Sequence, residues 1–237
     1  MDRTDVHVNR PDVPRQDVPR PDMPRPDVDA NPRDPGPTGP GRRGTGIVLA
    51  VGSVTVAVGL SAVADTEGFG IVSMLGGLGA LLFQIALLAL LRLQYAERAM
   101  TRPGATGSVA RIGYLIQAVL LCGAICSTVL DAFWLIHGSV LWAVFDTCWP
   151  LSMLGMVVIG VRVAIAGRWQ GWLRWQTLFA QSWLLWGVPL AALGTAGLYV
   201  GAAQFVLGYG VLGVLLATRG RDVVAPLGNN PAPADRS

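Results

Sequence analysis

From residue 46 onward the chain alternates between apolar runs of about twenty residues and short polar breaks. The runs cover residues 46–64, 70–91, 112–135, 140–161, 177–195 and 197–217. About twenty apolar residues in helical form cross a hydrocarbon layer of roughly 30 Å, and polar backbone in that layer must be satisfied within the helix itself. The pattern therefore predicts an all-α fold: a polytopic transmembrane bundle of about six spans. The breaks after the first, third and fifth runs are short, so the spans are expected to pair as three antiparallel hairpins. The connections between the hairpins, residues 92–111 and 162–176, are longer and polar.

Arginine gives the bundle a side. Arg42 and Arg43 precede the first run, Arg92, Arg98, Arg102 and Arg111 follow the second, Arg162, Arg168 and Arg174 follow the fourth, and Arg219 and Arg221 follow the last. The three short breaks carry no arginine. Positively charged residues close to membrane spans mark the cytoplasmic side, so both termini are expected in the cytoplasm of a cell-membrane protein. No short apolar core follows Met1, so the first apolar run is expected to be a retained span, not a cleaved signal.

Composition changes little here except at the ends. Of the 237 residues, 52% are hydrophobic and 14% charged, and the mean hydropathy is +0.48. The charge is concentrated in residues 1–44, where RPDVPRQDVPRPDMPRPDV (residues 10–28) repeats every five residues. Proline at Pro14, Pro19 and Pro24 forbids a helix and removes ladder donors. Three segments follow: a disordered tail over 1–44, a membrane domain over 45–218, and a short disordered tail over 219–237. All 18 basic residues are arginine, which reads as codon bias in a GC-rich genome. The net charge of +3 and the lack of a basic patch interleaved with aromatics exclude a nucleic-acid partner.

An ionisable side chain inside a span is costly and is by default a functional candidate. Asp131 and Asp146 qualify, seven to eight residues on either side of Gly138 and Ser139. The spacing places them at matching depth on adjacent helices, in the half away from the arginines. Pro150 follows Asp146 by four residues and has no N–H for its carbonyl, so a kink at Trp149 and Pro150 is expected. Oxygen groups of this kind suit a proton or a hard cation. His137 in the turn above and Gln204 in the last span complete the candidate site.

Elsewhere the sequence is plainer. Arg168, Trp169, Trp172, Arg174 and Trp175 are read as interfacial anchors, with an anionic lipid at that face as a sharper alternative. Gln84, Gln117 and Gln181 are candidates to hydrogen-bond one another. Gly197 and Gly201 form a small-xxx-small face that packs helices within the chain or between copies. Cys122, Cys126 and Cys148 read as small hydrophobes of a packed bundle, since they lack redox spacing. No zinc-protease, serine-hydrolase or phosphate-loop motif occurs, and no cofactor is implied.

The phrase DTCWPLSMLGMVVIGV (residues 146–161), the AGRWQGWLRW that follows it at 166–175, and LGYGVLG at 207–213 resemble an uncharacterised group of multi-pass membrane proteins of high-GC, actinobacterial-type bacteria. The resemblance covers the six-span region and implies its architecture but no activity. Two functions follow from the residues. The first is a non-enzymatic accessory or regulatory component, partnered by the bilayer and by another membrane protein or a second copy. The alternative is a small proton- or cation-coupled transporter built on Asp131 and Asp146.

Overall fold

The computed structural model describes residues 41–63, 70–102, 107–132 and 139–218. Both expected tails, apart from residues 41–44, lie outside these residues, as do His137 and the turn around it. The described chain is all-helical: α1 Arg42–Val63, α2 Ile71–Ala96, α3 Ser108–Ala132, α4 Val140–Ala166, α5 Trp172–Gln181, α6 Trp183–Ala191 and α7 Thr195–Phe205. A π segment, Val206–Gly210, then leads into α8, Val211–Thr218. Among the described residues, five helices are long and apolar enough to cross a membrane: α1 to α4, and the continuous run Thr195–Thr218.

The fifth expected span differs from its prediction. Instead of one helix over 177–195, the chain forms two short helices that meet at Ser182. At the break, Gln181–Ser182–Trp183, one local and one tertiary hydrogen bond meet. The Phe179 carbonyl accepts from the Ser182 hydroxyl at 2.8 Å and from the Gln204 amide of α7 at 3.1 Å. In return, the Gln176 amide of α5 donates to the Leu207 and Gly208 carbonyls of the π segment at 2.7 and 2.8 Å. A π turn shifts the helical register and leaves carbonyls that an apolar environment cannot satisfy. The two irregular stretches therefore complete each other. Contacts pair 176 with 207 and 208, 179 with 204, and 183 with 201, so the two segments run in opposite directions.

Helix boundaries follow from local chemistry. Ser139 caps α4, its hydroxyl accepting from the Trp142 N–H at 3.1 Å. Gly167 ends that helix in the left-handed region at φ 68°. Pro150 lies inside α4, which continues through it.

Packing relies on close backbone approach. A Cβ on Gly79 would sit 2.7 Å from the Thr55 carbonyl, so α1 and α2 meet almost backbone to backbone. Gly46 and Gly213 do the same where α1 crosses α8. The core runs through Phe83, Leu87, Leu90, Met156, Leu173, Phe205, Tyr209 and Leu212. Large apolar side chains such as Ile71, Val109, Leu141 and Leu193 are exposed outside it. That inverted surface fits a lipid-facing bundle.

The arginine-bearing ends of the helices come together. Glu97, just past α2, accepts from Arg42 of α1 at 3.0 and 2.6 Å and from the Trp169 indole at 2.7 Å. Trp169 is fully buried and Arg168 is 5% exposed, so neither is the interfacial anchor that the spacing suggested. Trp172 and Trp175 are exposed, and the Arg174 guanidinium lies 5.0 Å from the Trp175 ring centre. Trp169 belongs to a staple joining α1, α2 and the segment after α4, because Glu97 accepts from its indole N–H and from the Arg42 guanidinium.

Candidate functional site

Asp131 is next to last in α3 and Asp146 is seventh in α4. Both line one partly open cavity of about 560 Å³, together with residues of α1, α2, α6 and α7. The depth is not matched as expected. The Ser127 hydroxyl donates to Asp146 Oδ1 at 3.5 Å, which sets Asp146 level with Ser127. Ser127 is one turn below Asp131 on α3, so the two carboxylates are staggered by about 6 Å along the helix axis. The sequence spacing misjudged this because it took the two helices to begin equally far from the turn.

Beneath and beside the carboxylates the cavity is aromatic. Trp149 of α4, Trp183 of α6 and Phe205 of α7 all line it. Trp149 and Trp183 meet edge to face at 5.7 Å and 84°, and Trp183 lies 4.6 Å from Phe205. Phe205 in turn contacts Phe83 at 5.0 Å, and Phe83 contacts Tyr209 at the same distance, which ties the floor to the core. The Trp183 indole is pinned from two sides. Its N–H donates to the Gly201 carbonyl at 3.3 Å, and a Cβ on Gly187 would sit 2.7 Å from its ring. Glycine at position 187 thus makes room for the indole.

Most hydroxyls in the lining are already committed. The Thr128 hydroxyl accepts from the buried Gln84 amide at 2.8 Å and donates to the Ala124 carbonyl at 3.0 Å. Ser73 bonds the Gly70 N–H and carbonyl at 3.0 and 2.8 Å. No arginine, lysine or histidine is among the described residues of the lining. Nor is any group of three or more His, Cys, Asp or Glu among the described residues placed to hold a metal ion.

Several sequence-derived expectations are redistributed. Gln204 does not reach the cavity; its amide is spent on the Phe179 carbonyl at the helix break. Gln84, Gln117 and Gln181 do not bond one another. Gln84 turns to Thr128, and Gln117 donates to the Ser152 carbonyl at 2.9 Å. Gln181 is buried with neither amide atom hydrogen-bonded. Gly197 and Gly201 line the cavity, and a Cβ on Gly201 would meet nothing within 4 Å, although Gly201 itself is buried. Cys122 and Cys126 are exposed on α3, not packed inside the bundle, and Cys148 is part-buried. Trp183, Phe205 and Gly201 are the site residues that sequence reasoning missed. Gly201 read as a packing face, and neither Trp183 nor Phe205 carried a signal in the sequence; the fold brings Trp183 against Trp149.

No protein-family model, no curated protein and no solved structure matches the chain.

Proposed function

We propose that the protein is a multi-pass membrane protein of the cell membrane that binds a small cation in the Asp131–Asp146 cavity, in the manner of a small transporter. The observation that carries this reading is that both carboxylates line a single cavity with Trp149, Trp183 and Phe205. A carboxylate in a bilayer is costly unless a proton or a cation compensates it. Two of them lining one cavity make a site that attracts positive charge.

The architecture that supports it is six crossings in three hairpins. The α5–α6 pair supplies the crossing that neither helix makes alone, and the antiparallel pairing with α7 supports that assignment. With an even number of crossings, both termini share the arginine-bearing side, which is the cytoplasm by the positive-inside rule. Trp172, Arg174 and Trp175 then stand at the lipid headgroups of that side. The accessory role expected from the sequence rests on missing catalytic motifs, small glycine-rich faces and a long polar tail, and the cavity is the more specific observation.

The test uses cation-dependent stability. A ligand that binds the folded state raises its melting temperature by mass action. The purified protein in lipid nanodiscs is expected to gain stability with rising cation or proton concentration. Asp146→Asn and Asp131→Asn are expected to abolish most of that gain. If both variants keep the full response of the unmodified protein, the cavity is not a cation site.

A further inference from the structure

We infer that the cavity takes an organic cation with an apolar body, a quaternary ammonium or protonated amine, in preference to an inorganic ion. This rests on the cation-site reading above and narrows its ligand. Three observations support it: the shape of the space, the commitment of its hydroxyls and the position of its aromatic rings.

A hard inorganic cation is held by six to eight oxygens at short range. Here the Thr128 and Ser73 hydroxyls are already engaged with protein partners. Among the described residues, the rest of the lining is mostly hydrocarbon and ring surface. A cavity of about 560 Å³ is the size of a small-molecule pocket, and a dehydrated metal ion would leave nearly all of it empty. Space is open beside Gly201, where a side chain would meet nothing within 4 Å.

An organic cation uses every wall. Its charged head is matched by Asp146, and its apolar body by Leu60, Val188 and Leu198. Trp149, part-buried in the lining, offers a π surface that attracts a diffuse positive charge, tryptophan being the strongest such partner, and Trp183, only 8% exposed, backs it. Trp183 is held by the Gly201 carbonyl and by its fit over Gly187, so it is preorganised and loses little entropy on binding.

The experiment is titration calorimetry on the full-length protein in nanodiscs with three probes: phenyltrimethylammonium, its uncharged isostere tert-butylbenzene, and sodium, potassium or calcium salts. Phenyltrimethylammonium is expected to bind, and tert-butylbenzene to bind about tenfold more weakly or less. Asp146→Asn is expected to weaken phenyltrimethylammonium by a similar factor. Gly201→Val, which fills the open space, should abolish it while thermal unfolding confirms a folded protein.

The overturning results differ in what they leave standing. Equal binding of tert-butylbenzene describes a greasy cavity and ends both the inference and the cation reading. Inorganic ions that bind through Asp146, with no phenyltrimethylammonium binding, overturn the inference alone. Phenyltrimethylammonium affinity unchanged in both variants places the ligand elsewhere and overturns it too. Absence of binding by all three probes ends both.

Discussion

The Gln176 side chain donates to the Leu207 carbonyl at 2.7 Å, joining a broken helix to a π-bulged one. The same amide reaches Gly208 at 2.8 Å, and Gln204 answers from the other side by donating to Phe179 at 3.1 Å. Carbonyls released by irregular helix turns have no water to turn to inside a bilayer. Gln176→Leu keeps the bulk and removes both donors. It is expected to destabilise the bundle by about 1–2 kcal/mol, given that interhelical hydrogen bonds in membranes average below the cost of an unsatisfied polar group. Gln204→Leu should cost about 1 kcal/mol by the same reasoning. Reversible unfolding in mixed micelles measures both. An unchanged midpoint for Gln176→Leu would show that the π segment needs no partner.

Glu97 organises the opposite end. It takes two bonds from Arg42 and one from Trp169, and the Arg42 and Glu97 side chains are only 10% and 19% exposed. Losing one partner of a largely buried, hydrogen-bonded charge pair leaves the other charge uncompensated. Glu97→Gln is therefore expected to cost about 2–3 kcal/mol. Because solvent ions reach the pair poorly, raising the salt concentration should change the stability of the unmodified protein little. A strong salt dependence would place the pair in bulk water.

Two neighbouring tryptophans make an internal control. Trp169→Phe removes the indole N–H that Glu97 accepts from a fully buried ring and is expected to cost about 1–2 kcal/mol. Trp175 is 56% exposed, so Trp175→Phe should leave stability within about 0.5 kcal/mol. Its effect should appear instead as a shift of the emission that reports headgroup depth. Equal losses for the two variants would contradict the burial difference.

What was legible beforehand follows from periodicity and length. Residues 46–64, 70–91, 112–135, 140–161 and 197–217 read as spans because twenty apolar residues admit little else. The membrane helices found there overlap each of these runs. The break at Ser182 was not legible, because Gln204, which bonds the Phe179 carbonyl there, is far away in sequence. Asp131 and Asp146 stood out because charge in an apolar run is conspicuous; the cavity they line brings them together with Trp183 and Gly201, which look like every other tryptophan and glycine in the chain. Trp169 misled for the same reason: a tryptophan among arginines resembles an anchor until its indole partner, Glu97, is placed beside it.

Glycine substitutions separate packing from cavity most sharply. A Cβ on Gly79 would press on the Thr55 carbonyl at 2.7 Å, against backbone that cannot yield without parting α1 from α2. Gly79→Ala is expected to destabilise by about 1–3 kcal/mol, the usual cost of overpacking. Gly201 is buried as well, but its added methyl would enter empty space. Replacing a mid-helix glycine by alanine also removes the backbone-entropy penalty, worth about 0.5–1 kcal/mol. Gly201→Ala is therefore expected to leave stability unchanged or to raise it by about that amount, while narrowing the space beside Trp183. Thermal unfolding of the two variants side by side checks the contrast. A destabilised Gly201→Ala would mean that the Gly197–Gly201 face is a packing seam and that the cavity ends before it.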